Sequence, residues 1–229
     1  MAHVLNSEIV KEYGYAAGAS VVGIAASNAF HLAPNEFAPD DVLDGCLSVV
    51  VLGFPFPPEA ILDASAEYID IRNAVNNRIN GIAKDVGKRI KKDGYNARDI
   101  GGMSGKWVDG FQHGPISLKH AAELAGLGVI GKNYLLTNPH YGNLLWFGAV
   151  LTDAYLVPDP KCELDVCRDC NLCVELCPAK ALDNPDSFRK KDCAATCFKL
   201  VDRKWRIKCF LCRKICPHCF GEQAHGSPV

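Results

Sequence analysis

Cysteine is almost missing from the first 161 residues of this 229-residue chain, where Cys46 stands alone. A basic segment followed by an apolar one is missing too: the start, MAHVLNSEIVKEYGY, has neither part of a secretory leader. These two absences argue against a disulfide-stapled secreted scaffold and lead us to expect a cytoplasmic protein. No apolar run approaches the roughly 18 residues a membrane helix needs, so no membrane span is expected. An excess of one charge is lacking as well. Lys and Arg number 25 against 26 Asp and Glu, a net charge of -1, which gives no global pull on nucleic acid or anionic membrane. Low-complexity runs are absent, and a hydrophobic fraction of 48% is ordinary for a globular chain able to bury a core.

What is present is concentrated at one end. The other eleven cysteines fall between Cys162 and Cys219. In a reducing compartment a local cluster of this kind binds metal more often than it forms disulfides. The stretch 157–165, VPDPKCELD, carries two prolines and separates the apolar region from the cysteine-rich one. It sets an expected boundary between a domain of residues 1–157 and a domain of residues 158–229. The first holds 12 basic and 16 acidic residues, the second 13 and 10, so the smaller part is the basic one.

The N-terminal part reads as mixed α and β. A helix is expected over residues 7–17, with Ser7 as its cap. LSVVVL, residues 47–52, is a short β-branched run that suits a buried strand, and the FPFPP after it lacks the ladder donors to continue. Over residues 64–92, Tyr68, Ile71, Val75, Ile79, Ile82, Val86 and Ile90 recur at steps of three or four, the stripe of an amphipathic helix. Asp93-Gly94 is the turn pair that stops it. Residues 116–127 form another helical pattern, with Ser117 at its start. LLWFGAVL, residues 144–151, fits a strand or a buried helix.

The strongest signal is CRDCNLCVELCP, in which Cys167, Cys170, Cys173 and Cys177 are spaced as the ligand run of a bacterial [4Fe–4S] ferredoxin. Zinc sites use two separated pairs rather than four close cysteines ending in Cys-Pro. A second run, CFLCRKICP, supplies Cys209, Cys212 and Cys216, but Arg206 occupies the position of its first cysteine. In two-cluster ferredoxins the fourth cysteine of each run ligates the other cluster. The first cluster is therefore expected on Cys167, Cys170, Cys173 and Cys216. The second is expected on Cys177, Cys209, Cys212 and a cysteine from elsewhere: Cys193 is the first choice, with Cys197 and Cys219 as the other candidates. Cys162, Cys197 and Cys219 are then spare, each readable as a small buried hydrophobe. Residues 189–214 hold ten Lys and Arg against two Asp, a solvated face or a dock for an acidic electron donor such as ferredoxin or flavodoxin. RNA contact is a weaker third reading of that stretch.

The block HGPISLKHAAELAGLGVIGKNYLLTNPHYGNLLWFGAVLTDAYLVPD, residues 113–159, followed by the two cysteine runs and preceded by SVVVLGFPFPP, resembles the epoxyqueuosine reductase family, closest to its short members. Reductive dehalogenases share the pairing. The resemblance covers roughly residues 45–217. It implies an α+β fold, with a nitroreductase-like cobalamin-binding domain followed by a two-[4Fe–4S] ferredoxin-like domain that feeds it electrons. Cobalamin as cofactor is implied by the resemblance alone. Two departures stand out. The family's catalytic aspartate lies shortly after a tyrosine, and on a gapless match to YIDIRNAV its place is taken by Asn73, with Asp70 one turn away. An amide does not donate a proton as an acid does. The helical-repeat segment by which longer members bind tRNA is not in the sequence. Both make tRNA a doubtful partner.

Gly126, Gly128 and Gly131 imitate a dinucleotide fingerprint loosely, but they follow a helical pattern rather than a strand. They read as a turn of close backbone approach. With the resemblance, Gly128, Gly131, Lys132 and Asn133 become the expected cobalamin contacts, together with the segment 144–152. His113, His120 and His140 are candidate ligands or acids, and Tyr134 and Tyr141 candidate proton donors. The catalytic residues are otherwise unassigned. The expected function is an iron–sulfur, cobalamin-dependent oxidoreductase acting on a small molecule or a corrinoid protein. The alternatives are a redox partner that reactivates another protein's corrinoid, and a plain ferredoxin-type electron carrier without cobalamin.

Overall fold

The computed structural model describes residues 5–62, 68–108, 111–184, 187–201, 204–207 and 209–222. It divides into two compact units. One comprises Met1–Phe54, Val75–Gly128 and Trp146–Cys162; the other comprises Pro55–Ala74, Val129–Leu145 and Glu163–Val229. The last segment of the second unit begins a few residues after the boundary expected at 157. Two stretches from earlier in the chain are gathered around it.

The first unit is built on a four-stranded sheet in the order Val21–Ala26, Ser48–Pro55, Leu145–Thr152, Ala97–Ile100. The outer strands pair antiparallel with their neighbours, Val21 opposite Gly53 and Ala97 opposite Thr152. Val49, Val50, Val51 and Leu52 are all fully buried, which is why this strand reads as a continuous apolar run rather than an alternating one. It runs on through Gly53 and Phe54 to Pro55, beyond the expected stop at 52. Proline is tolerated at that last position because the chain leaves the strand there, and the next ladder donor is the Phe56 N–H, which bonds the Leu144 carbonyl. The ambiguous run at 144–151 is a strand, Leu145–Thr152.

Helices cover this sheet. In Tyr68–Lys92 the expected stripe is the buried one: Val75, Ile79, Ile82, Val86 and Ile90 are in the core. Gly148 lets Ile79 close on the sheet, since a Cβ there would lie 3.2 Å from Ile79 Cγ1. The helix ends at Lys92, and Gly94 takes the left-handed φ of 94° that closes the turn. The expected first turn, residues 64–67, lies outside the described residues. Ser7–Ala17 is capped by Asn6, not Ser7, because the Asn6 carboxamide oxygen accepts the Ile9 N–H at 3.0 Å. Ser7 instead donates its hydroxyl to the Val157 carbonyl. The helix expected over 116–127 is shorter, Leu118–Leu124. Ser117 makes no cap bond; its hydroxyl pairs with His120 Nδ1 at 2.7 Å.

The second unit is made of short pieces. Two one-turn helices, Leu172–Glu175 and Leu211–Lys214, each carry the middle cysteine of a Cys-x-x-Cys-x-x-x-Cys run, Cys173 and Cys212, and pack against one another. Between the runs, the helix Lys190–Cys197 leads into an antiparallel hairpin, Phe198–Val201 with Lys204–Ile207. Phe56, Tyr68 and Phe210 supply aromatic filling, with ring centroids 4.9 Å apart for the first pair and 4.3 Å for the second.

Candidate functional site

Cys167, Cys170, Cys173 and Cys216 line one cavity of about 320 Å³, counting the part open to solvent. Gly131, Asn133, Thr137, Val166 and Leu172 complete its wall. Three of these thiols come from the first run and the fourth from the end of the second, so the structure assembles the crossed set. Burial raises the Cys173 thiol above its ordinary value, and the neighbouring Cys167, Cys216 and Cys170 raise it further. The same causes act on Cys216, burial first and then Cys167 and Cys170, against hydrogen bonds that include one to Asn143. Four thiols gathered at one cavity offer a site to a cation that takes up the charge of their thiolates.

The second group sits in an apolar cluster that also holds Cys173 of the first. Cys177, Cys193 and Cys212 pack with Ala181, Leu182 and Ile215. Cys193 is pushed up to about 11 by burial, with further contributions from Cys197, Cys177 and Cys209. Cys212 is likewise pushed up to about 11, by burial first, with Cys193 and Cys209 adding to it and Arg213 opposing it. The expected members Cys177, Cys193, Cys209 and Cys212 are thus brought together. Cys197 joins them as a fifth thiol, and its Sγ donates to the Cys209 carbonyl at 3.2 Å. Cys219 lies beside Cys216, whose carbonyl accepts its N–H at 3.0 Å; it is buried, it donates to Asn143 Oδ1, and burial drives it up to about 11, with Cys216 and Cys212 adding to this and Arg213 opposing it. Cys46 and Cys162 belong to the first unit. Among the described residues no three His, Cys, Asp or Glu side chains stand close enough to grip a single metal ion. Four cysteines in each group are the donor set of a [4Fe–4S] cubane, whereas structural zinc sites draw their cysteines from two separated pairs.

The stretch 129–145, which the sequence left without a cluster role, buttresses the cysteine loops. Lys132 Nζ donates to the Cys170 carbonyl at 3.0 Å and to Asn171 Oδ1 at 2.8 Å. Asn133 Nδ2 donates to the Cys212 carbonyl at 3.2 Å. Gly131 lies against Cys167, where a Cβ would come within 3.2 Å of the sulfur. The Asn143 N–H donates to the Cys219 carbonyl at 2.9 Å. The signal that could have revealed this is polarity: Asn133, Thr137, Asn138 and Asn143 are all buried, and buried polar groups need partners. Three of the four expected cobalamin contacts, Gly131, Lys132 and Asn133, therefore face the thiol loops. Gly128, with φ 157°, belongs to the first unit.

The remaining candidates are dispersed. His113 is exposed on a hairpin, with its ring 6.3 Å from Phe37. His140 is exposed, edge-on to Tyr141 at 4.7 Å and 3.8 Å from Glu222. Tyr134 stacks on Phe188 at 5.3 Å, and its φ of 57° is left-handed. Asp70 and Asn73 are both exposed, and the Asn73 carboxamide oxygen accepts from Arg72 at 3.1 Å. Among the described residues no helix is long and apolar enough to cross a membrane.

No family model matches the chain. Among curated proteins it is 30% identical over 192 residues to an epoxyqueuosine reductase of Cyclobacterium marinum, an alignment covering 78% of this chain and 60% of that one. The chain thus spans about three-fifths of this relative's length. Among solved structures it is similar to an epoxyqueuosine reductase bound to an epoxyqueuosine-modified tRNA-Tyr stem loop, with a TM-score of 0.63 at 20% identity, covering 93% of this chain and 64% of that one. It is also similar to a reductive dehalogenase described for B12-dependent dehalogenation, with a TM-score of 0.57 at 22% identity, covering 76% and 25%. These two likenesses concern the fold.

Proposed function

Starting from kinship with the epoxyqueuosine reductases, we propose that the chain is an iron–sulfur oxidoreductase that passes electrons through two [4Fe–4S] clusters to a corrinoid, for a reductive reaction. The observation that carries this reading is the cavity lined by Cys167, Cys170, Cys173 and Cys216, because the fourth thiol arrives from the other run. Cys177, Cys193, Cys209 and Cys212 hold the second cluster. When bound, the clusters supply one-electron transfer at a potential set by their thiolate ligands, hydrogen bonding and solvent exposure. The chain's own groups do the rest. Lys132 and Asn133 tie down the Cys170 and Cys212 loops, so the thiols are held before iron arrives. Ala181, Leu182 and Ile215 keep water from the second group.

Cobalamin is supported by kinship, and its test is retention of the corrinoid through gel filtration by cluster-loaded protein. An acidic ferredoxin or flavodoxin is the electron donor. The family's substrate, epoxyqueuosine in tRNA, needs a proton at the step for which Asn73 replaces the aspartate. A positioned acid contributes about 10²–10⁴-fold. Chemically reduced, cobalamin-supplemented protein should therefore turn over an epoxyqueuosine-bearing stem loop poorly, and Asn73→Asp should raise the rate by about 10²-fold or more. Fast turnover by the parent would refute the substrate part of this reading. Asn73 also favours a second reading, a redox partner that reduces another protein's corrinoid and needs no proton donor. It predicts reduction of a corrinoid protein at the same rate by the parent and by Asn73→Asp.

A further inference from the structure

Asn143 brings an unspent donor to the first thiol group. The residue is only 2% exposed, and its Nδ2, itself buried, makes no hydrogen bond within ordinary limits of distance and angle. A buried amide left in this way is costly, so the position calls for an acceptor. One group feels it. Burial raises the Cys216 thiol, and hydrogen bonding from the His218 backbone and the Asn143 side chain acts against that rise. A hydrogen bond that favours a thiolate is one given to the sulfur, and Nδ2 is the part of the carboxamide with protons to give. A protonated thiol accepts weakly, whereas a thiolate accepts strongly.

Two contacts fix which way round the carboxamide lies. The Asn143 N–H donates to the Cys219 carbonyl at 2.9 Å, and the Cys219 Sγ donates to Asn143 Oδ1 at 3.5 Å. With Oδ1 taken, Nδ2 is left for Cys216. The Cys219 N–H in turn donates to the Cys216 carbonyl at 3.0 Å, so one short turn holds both the sulfur and the thiol that orients the amide. Gly142, at a left-handed φ of 57°, lies against the Cys219 carbonyl with no room for a Cβ, which keeps the two segments in contact. Asn143 is not part of the wall of the cavity lined by Cys167, Cys170, Cys173 and Cys216. Its donor therefore reaches Cys216 from outside that cavity and leaves the inward side of the sulfur for iron.

We propose that Asn143 sets the potential of the first cluster by donating from Nδ2 to the Cys216 sulfur, and that Cys219 is the positioning residue that orients its carboxamide. The inference rests on the two-cluster reading above. Reduction adds one electron to a cluster already surrounded by thiolate charge, and no bond is made or broken. A donor to a ligand sulfur stabilises the reduced form more than the oxidised one, which raises the potential. Cys219, spare as a ligand, thereby has work to do.

The test is a potentiometric titration of the anaerobically reconstituted protein, followed by electron paramagnetic resonance, with iron counted on the same samples. The parent should show two midpoints. Asn143→Leu keeps the size of the side chain and removes the donor. One midpoint should fall in this variant, so that the ratio of reduced to oxidised cluster at a fixed potential drops about ten-fold, or about 59 mV for one electron. The other midpoint should stay, and iron should remain near about eight per chain, which a merely structural role does not predict. Cys219→Ala, which frees the carboxamide, should lower the same midpoint, and Cys219→Ser, which keeps a donor to Oδ1, should match the parent. Full iron in Asn143→Leu with both midpoints at the parent's values overturns the proposal. Loss of iron from Cys219→Ala also overturns it, because Cys219 is then a ligand. If Asn143→Leu carries too little iron to titrate, the Cys219 pair decides, and equal midpoints in its two members overturn the proposal. A parent that takes up no clusters refutes the function proposed above and this inference with it, whereas a fully loaded parent with unmoved variants refutes the inference alone.

Discussion

Two neighbouring cysteines on one helix, Cys193 and Cys197, have different work. Cys193 is packed with Cys177 and Cys212, whereas the Cys197 thiol is occupied by the Cys209 carbonyl. Cys193→Ala should therefore lower the iron of reconstituted protein from about eight to about four per chain, and Cys197→Ala should leave it near eight. Iron analysis of the two variants checks this, and the reverse result would exchange their roles. The raised thiols also fix the sign of a pH effect in the metal-free chain. Cys193, Cys212 and Cys219 sit at about 11 against an ordinary 9.0, because burial disfavours the thiolate. The folded state thus binds their protons more tightly than the unfolded one. The stability they contribute is complete below pH 9 and is lost as pH rises through about 11. Denaturant midpoints of the metal-free chain should fall between pH 8 and pH 10, and a midpoint that rises would contradict the assignment. Cluster assembly runs the other way: thiolates are what iron binds, so reconstitution should be faster at pH 8.5 than at pH 7.

At the scale of elements, the turn after Gly128 bears on the chemistry less directly than its glycines suggest. Gly131→Leu, which a corrin contact would convert into lost cobalamin alone, should instead press on Cys167 and remove about half of the iron. A variant with full iron and intact visible absorbance would return the turn to the corrin. The contacts of this element with the thiol loops were not legible in the sequence, for a physical reason. Gly-Lys-Asn in a loop has the composition of a surface turn or a ligand cradle, and only the long-range bonds of Lys132 to Cys170 and of Asn133 to Cys212 distinguish a buttress. The helix Tyr68–Lys92 was legible because its buried stripe repeats over 25 residues. The strand Val21–Ala26 was not, since VVGIAA is short, its glycine mimics a turn, and its pairing with Ser48–Pro55 is remote in sequence. The Asn6 cap was misplaced by one residue because asparagine and serine are both good caps, and local sequence does not choose between them.

At the scale of the whole molecule, spacing together with the crossed-ligand rule of two-cluster ferredoxins pointed to Cys167, Cys170, Cys173 and Cys216, the thiols that line one cavity. Spacing did not show that Pro55–Ala74 and Val129–Leu145 fold with the cysteine segment, since a unit drawn from three separate stretches leaves no compositional boundary. In the proposed assignment Cys177 and Cys216 are exchanged between the two runs, which ties the second unit into one cooperative object. Removing either should therefore damage both clusters, where removing Cys170 damages chiefly one; iron and sulfide counts on the three variants check this. The central claim is the pair of [4Fe–4S] clusters. Its most direct test is the iron and acid-labile sulfide content of the anaerobically reconstituted chain, read with its visible spectrum. The account predicts about eight of each per chain with broad visible absorbance. Stoichiometric zinc with no sulfide and no such absorbance would contradict it.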